Sequence, residues 1–192
     1  MPLLPALAFA RQLIEGRLKN GGRALDGTAG NGRDTLFLAQ LVGGNGKVWA
    51  FDIQAQALSN TAGLLRENGV EERVELIAAS HADLADYVRE PLDAAMFNFG
   101  YLPGGDKTVT TKADSSVRAM QAAAALLAEG GLLTAVVYSG HPAGRAEAAA
   151  IEQWAAALPQ EQYQVLHYRF TNQRNHPPQL LAIEKRIRKP NR

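Results

Sequence analysis

The chain has 192 residues, 46% hydrophobic, 20% charged and 7% aromatic, the balance of an ordinary globular protein of single-domain length and not of a disordered or membrane chain. It has no cysteine, which excludes disulfide frameworks, thiolate zinc sites and thiol nucleophiles together. A net charge of +1 conceals an asymmetry, because residues 165–192 carry seven Arg or Lys against Glu184 alone, a surplus of +6 that leaves −5 elsewhere.

Leu3, Leu7, Ala10, Ile14 and Leu18 recur at helical spacing and predict a leading helix over residues 1–20, stopped by Asn20-Gly21-Gly22. Arg23 to Asp26 reads as the first strand, Asp34 to Leu41 as a helix and Lys47 to Asp52 as the second strand. Gln54 to Asn68 is the next helix, with Leu58, Thr61 and Leu65 inward and Asn68-Gly69 as its stop. Val74 to Ala79 makes strand three, Leu84 to Arg89 a short helix, and the apolar run Ala94 to Phe99 a central strand four. Beyond the loop Gly100 to Lys107, Val117, Met120, Ala124 and Leu127 form a helical stripe closed by Gly130-Gly131, and Leu132 to Tyr138 is strand five.

A helix with Ile151, Trp154, Ala155 and Leu158 then precedes two strands, Tyr163 to Phe170 and Leu180 to Lys185. The nine residues between those strands are too few for a helical crossover, so the last strand is expected antiparallel to its predecessor. Alternating strands and helices of this kind build an α/β domain around a mostly parallel sheet. No apolar run approaches the ~20 residues of a bilayer span, and Met1 to Ala10 lacks a secretory leader pattern, so the expectation is a cytoplasmic protein without a membrane partner.

The turn Asp26-Gly27-Thr28-Ala29-Gly30-Asn31-Gly32 lies between a strand and a helix, where small residues admit close ligand approach. Asp52 follows Gly30 by 22 residues at the end of the second strand, placed to accept hydrogen bonds from both hydroxyls of a ribose. Two cofactor classes compete for this pattern. A nicotinamide dinucleotide fingerprint wants a third glycine, but Thr35 stands there, whereas Asp26 suits the ammonium of S-adenosyl-L-methionine. The methyl donor is therefore favoured, and a tight turn without ligand fits a lone G-x-G better than this combination.

Ser80 and His81 follow strand three, where an adenine edge is expected, while Asn31, Asp34 and Thr35 bring hydrogen-bonding groups to the methionine end. Gln54 is placed to reach ribose or adenine. Strand four ends in Phe97-Asn98-Phe99-Gly100-Tyr101, which resembles the N-P-P-Y motif of class I amino-methyltransferases at its first and fourth positions. That resemblance makes Asn98 an acceptor for a target amine, and Tyr101 offers a face for base stacking. His141 and Asp106 are candidate proton acceptors, against readings as a loop cap and a solvated turn. No metal is expected, since His167 and His176 lack ligand spacing with the carboxylates.

The stretches D-G-T-A-G-N-G-R-D-T, A-S-H-A-D-L, N-F-G-Y-L-P-G-G-D-K, Y-S-G-H-P-A-G and N-Q-R-N-H-P-P resemble the small bacterial family labelled "putative rRNA methylase" over nearly the entire chain. The resemblance implies a Rossmann-like class I sheet of seven strands in the order 3-2-1-4-5-7-6, and an activity on tRNA. There the aminomethyl group of wobble 5-aminomethyl-2-thiouridine becomes methylaminomethyl, with the anticodon arm as partner; the sequence leaves the oligomeric state open, a homodimer included. Alternatives are an rRNA or small-molecule amine methyltransferase, or a non-catalytic RNA-binding module. The basic tail over 186–192, with Arg174 brought near it on one rim, is the expected RNA footprint, against a merely solvated end.

Overall fold

The computed structural model describes residues 3–100, 111–140 and 142–188; Tyr101, Asp106, His141 and Lys189 lie outside the described residues. Strands β1 (Arg23–Asp26), β2 (Lys47–Asp52), β3 (Val74–Ala78), β4 (Leu92–Asn98), β5 (Leu127–Val137), β6 (Tyr163–Tyr168) and β7 (Gln179–Lys185) form one sheet in the order β3-β2-β1-β4-β5-β7-β6. The first five run parallel, and β7 lies antiparallel between β5 and β6. This is the class I order that the resemblance implies.

Both faces of the sheet are covered, so the central strands are apolar on both sides. Along β4, Ala95 and Phe97 enter the core under α4 (Leu84–Tyr87), α5 (Ala113–Leu126) and α6 (Pro142–Ala156), with Leu25, Phe51, Met120 and Ile151. Ala94 and Met96 enter the opposite core, under α1 (Ala6–Glu15), α2 (Arg33–Val42) and α3 (Ala55–Glu67), with Ile14, Leu38, Val48 and Leu65. Among the described residues, no helix is long and apolar enough to cross a membrane.

Several expected boundaries are corrected. The leading helix ends at Glu15 because Gly16 caps it, donating to Gln12 O at 3.2 Å, and Leu18 is buried from the turn that follows. In α3 the inward position is Ala57, with Thr61 and Leu65, while Leu58 is only half-buried. The stripe on α5 does not run to Gly130-Gly131: the helix stops at Leu126, and Leu127 already belongs to β5. The register between β4 and β5 shifts there, with Leu92 opposite Leu127 and Ala94 opposite Leu132. Gly130 sits at φ +78, and a Cβ on Gly131 would stand 2.8 Å from Leu92 O. Only glycine threads this bulge, and a helix stop signal looks the same in one dimension.

A larger correction concerns the basic end. Because β7 is antiparallel to β5, Gln179 pairs with Val137 at the carboxyl ends of the parallel strands, while Glu184 pairs with Leu132 at their starts. Arg174 and Arg186 therefore lie at opposite ends of a seven-residue strand, roughly 20 Å apart at ~3.4 Å per residue. The described basic side chains at the end of β7 are engaged locally. Lys185 Nζ donates to the carbonyls of Ala125 and Leu127 at 3.1 and 2.6 Å, Arg186 to Gln160 O at 3.1 Å, and Arg188 pairs with Glu129 at 3.8 Å.

Helices α5 and α6 are pinned by a buried polar pair, in which Ser116 Oγ donates to Glu147 Oε1 at 2.5 Å. Ser116→Ala strips a buried carboxylate of this donor and is expected to lower the unfolding free energy by roughly 2–3 kcal/mol, read from denaturant midpoints. The double change Ser116→Ala with Glu147→Leu, which removes both partners, recovers part of that loss.

Candidate functional site

The turn after β1 is tied to both neighbouring strands through its backbone. Gly27 N donates to Met96 O and Ala29 N to Phe51 O, each at 2.9 Å, while the Asn98 amide donates to Thr28 Oγ1 at 2.7 Å. A Cβ on Gly27 would fall 2.1 Å from the Phe97 ring, so glycine is required for the turn to lie this close to β4. Gly32, at φ +78, caps α2 and packs against Thr61, where a Cβ would meet the backbone at 2.9 Å. Thr61 in turn donates from Oγ1 to Gly30 O at 3.1 Å.

Asp52 closes this frame. Its Oδ2 accepts from Gly30 N and its Oδ1 from Gln54 N, both at 2.9 Å. Each carboxylate oxygen retains a further lone pair for a ligand hydroxyl.

These elements enclose a cavity of about 560 Å³ at the carboxyl ends of the parallel strands, where open α/β sheets bind ligands. Thr28, Gly30, Asn31, Asp34, Asp52, Gln54, Ser80, His81 and Asn98 line it. Asp26, Gly32 and Thr35, also expected there, do not. Asp26 is 1% exposed beneath the turn, accepting from Thr28 N at 3.0 Å and Thr35 Oγ1 at 2.6 Å. Ser80 accepts from Ala82 N at 3.2 Å and so also caps a short turn. A wider, open groove of about 830 Å³ runs between α2 and α3; helix side chains line it and the strand ends do not reach it, so the smaller cavity is the candidate site.

Three buried polar atoms at this cavity have no partner among the described residues: Asn98 Oδ1, His81 Nε2 and Thr111 Oγ1. Buried polar groups are normally hydrogen-bonded, so these are places for ligand atoms. Phe99 is fully buried with its ring on Phe97 at 5.2 Å, and it borders the cavity beside Asn98. His81 stands edge-on to both rings at 6.4 and 5.8 Å, and burial holds its imidazole below the ordinary value despite the carboxylates of Asp52 and Asp83.

The electrostatics at the turn are acidic. Burial, and then the Asp34 carboxylate, push Asp26 up to about 7, against the hydrogen bonds from Thr35 and Thr28 that favour its ionised form. Asp34 is held by Arg11 at 2.6 Å, and Arg11 also lies over the Phe37 ring at 5.4 Å.

Sequence reasoning missed Leu7, Arg11, Ile53, Lys112, Ser115 and Tyr138, all of which line the cavity. Arg11 comes from the leading helix, and no motif links it to Asp34 across 23 positions. Ile53 offered a signal in retrospect, as an apolar residue directly after a strand-ending acid; it is 64% exposed at the cavity and gives an apolar face for a flat ring. Tyr138, 37% exposed, continues strand five into the cavity mouth.

Comparison with known proteins agrees with the family and the sheet order. The family model described as "Putative rRNA methylase" matches residues 48–184. A protein of Arabidopsis thaliana named "tRNA (mnm(5)s(2)U34)-methyltransferase, chloroplastic" is 37% identical over 164 residues, 80% of this chain. The match spans 60% of that relative's own length. A solved "putative rRNA-methylase" of Clostridium thermocellum superposes with a TM-score of 0.95 at 38% identity, covering 96% of this chain and 100% of that one. A "putative methyltransferase" of Streptococcus mutans, solved in complex with SAH, gives 0.89 at 35% identity, over 96% and 99% of the two chains. Sequence and strand order thus converge, and the chain belongs to the "Putative rRNA methylase" family.

Proposed function

We propose that this chain is an S-adenosylmethionine-dependent methyltransferase acting on a tRNA amine, the aminomethyl group of wobble 5-aminomethyl-2-thiouridine, to give the methylaminomethyl form. The observation that carries the proposal is Asn98 Oδ1, a buried acceptor at the cavity without a partner among the described residues. Support for the cofactor comes from the SAH held by the Streptococcus mutans relative, and for the substrate from the name of the Arabidopsis one. A second reading, methylation of rRNA, takes its support from the names of the family and of the Clostridium structure. The proposal treats residues 1–192 as one methyltransferase domain.

The residues present fit an adenosine-bearing sulfonium. Asp52 would accept from the ribose hydroxyls, Ile53 would offer an apolar face to the adenine, and Ser80 and His81 would meet the polar edge of the base. Asn31 and Asp34 face the methionine end; Asp26, Gly32 and Thr35 shape that end from beneath. When bound, this group supplies a methyl electrophile on a cationic sulfur. Asn98 accepts an N–H from the neutral amine and turns its lone pair toward that methyl, so the protein contributes mainly orientation. The amine sheds a proton before attack, to water or to His141 or Asp106 as candidate acceptors. Tyr101 remains a candidate for stacking on the base.

Asp52→Ala is expected to weaken S-adenosylmethionine binding by roughly 1.5–3 kcal/mol per lost hydrogen bond; an unchanged calorimetric dissociation constant in the folded variant overturns the ribose assignment. Asn98→Ala is expected to keep cofactor affinity and cut single-turnover methylation about a hundredfold or more, whereas equal loss of both moves Asn98 into the cofactor site.

Asp26 generates a pH dependence of defined sign. A carboxyl raised from 3.8 to about 7 in the fold binds protons more tightly there than in the unfolded chain. Its contribution is therefore present at acid pH and lost as pH rises through about 7. Asp26→Asn, which keeps the acceptor for the Thr28 amide and can instead donate to the Thr35 hydroxyl, should flatten the decline in ligand-free stability between those two values, measured by denaturant titration across pH. A cationic ligand favours ionised Asp26, so binding near neutrality should release a proton in the parent and not in Asp26→Asn, visible as a buffer-dependent heat.

A further inference from the structure

Arg186 and Arg188, the described part of the expected RNA footprint, follow β7 at the rim opposite the cavity, and the antiparallel placement of β7 puts a different cationic surface beside the cavity. Residues 169–178 connect β6 to β7 and emerge where Tyr168 pairs with Leu180 and Gln179 with Val137, the rim that carries the cavity. A chain of side chains fixes that junction. His167 Nε2 donates to Gln179 Oε1 at 2.8 Å, and Gln179 Nε2 donates to Ser139 Oγ at 3.1 Å. Ser139 adjoins Tyr138, which lines the cavity mouth.

The connection carries Arg169 and Arg174, both exposed, and no acidic residue. Arg145, exposed in the first turn of α6, rises from the same end of the sheet, just beyond Gly140. Among the described residues, none of these three arginines has a carboxylate partner, whereas Arg11, Arg17, Arg118 and Arg188 are each paired with one. Arg33 and Lys112, at the cavity itself, also lack carboxylate partners among the described residues and carry the positive track across its mouth. Solvated arginines without an internal partner are available to phosphate oxygens, which they bind through two parallel N–H donors.

The connection also has a set shape. Asn175 and His176 both take left-handed backbone conformations, with φ of 65 and 46, and Pro177-Pro178 follows. Two successive non-glycine residues at positive φ carry a conformational cost, and such costs concentrate where a surface must be presented in one form. The motif N-Q-R-N-H-P-P, which the cofactor site leaves unused, is this segment.

We propose that residues 169–178, together with Arg145, form the lip on which the RNA phosphate backbone rests while the target nucleotide enters the cavity past Tyr138. The proposal rests on the RNA reading of the active site. It places substrate affinity on the pocket rim, and leaves Lys185, Arg186 and Arg188 as structural side chains of the far rim.

The test compares three full-length proteins: the parent, a lip variant with Arg145→Gln, Arg169→Gln and Arg174→Gln, and a far-rim variant with Arg186→Gln and Arg188→Gln. Binding of a fluorescein-labelled anticodon stem-loop RNA is measured by polarisation over a range of salt, with S-adenosylmethionine affinity measured alongside. The lip variant is expected to bind the RNA at least about tenfold more weakly, and to lose about two units of the slope of log affinity against log salt. Lysine at the same three positions retains the slope, and the far-rim variant matches the parent in both readouts. Cofactor affinity stays constant throughout. If the parent binds RNA with a steep salt dependence and the lip variant does the same, the lip assignment is overturned and the RNA reading survives. A parent that shows no salt-dependent RNA binding overturns both.

Discussion

The site depends on how the backbone of residues 27–32 is clamped between β2 and β4. Gly27 and Ala29 donate to carbonyls on opposite neighbours, Met96 and Phe51, and Gly30 donates to the Asp52 carboxylate. These bonds require a turn without side-chain bulk on its inner side, which the Phe97 ring enforces at Gly27. The same bonds fix Asp52 and Asn98 relative to each other, although they sit on strands separated by β1. Asp52 and Asn98, the proposed ribose and amine acceptors, are thus set at two sides of one cavity by backbone geometry.

Charge around that frame is arranged in layers. Asp26 lies under the turn and is held by Thr35 and the Thr28 amide, so it acts on the cavity through its field and not by contact. Asp34 is at the surface of the cavity with Arg11 against it, which softens the repulsion between the two carboxylates. The leading helix therefore has an electrostatic part as well as a packing one: its apolar face covers β5 and β7 through Ala6, Ala10 and Ile14, and its Arg11 reaches the site.

The direction of β7 decides which basic residues can meet a substrate. Had the strand run parallel, the tail beyond Lys185 would have faced the cavity. Antiparallel pairing sends Lys185, Arg186 and Arg188 to the opposite rim, where Lys185 closes the carbonyls of Ala125 and Leu127 at the end of α5, as a cation at a helix C-terminus is suited to do. It brings the β6–β7 connection to the cavity in exchange.

The amino-acid sequence by itself determined the order of the elements, most strand limits and the acids and glycines of the nucleotide-type turn. Those features are local: β1 and β2 end where Asp26 and Asp52 interrupt apolar runs, and a strand–turn–helix leaves its signature in consecutive residues. The bulge at Gly130-Gly131 was misread because a glycine pair marks a helix stop and a kinked strand alike. Tertiary structure alone decided that Arg11 meets Asp34, that Asp26 lies beneath the cavity instead of lining it, that Ile53 and Tyr138 belong to the site, and that Arg174 and Arg186 lie at opposite ends of β7. Each is a relation between residues distant in sequence, set by strand direction and by which face of an element packs inward, and neither is written in the local run of residues that carries the side chain.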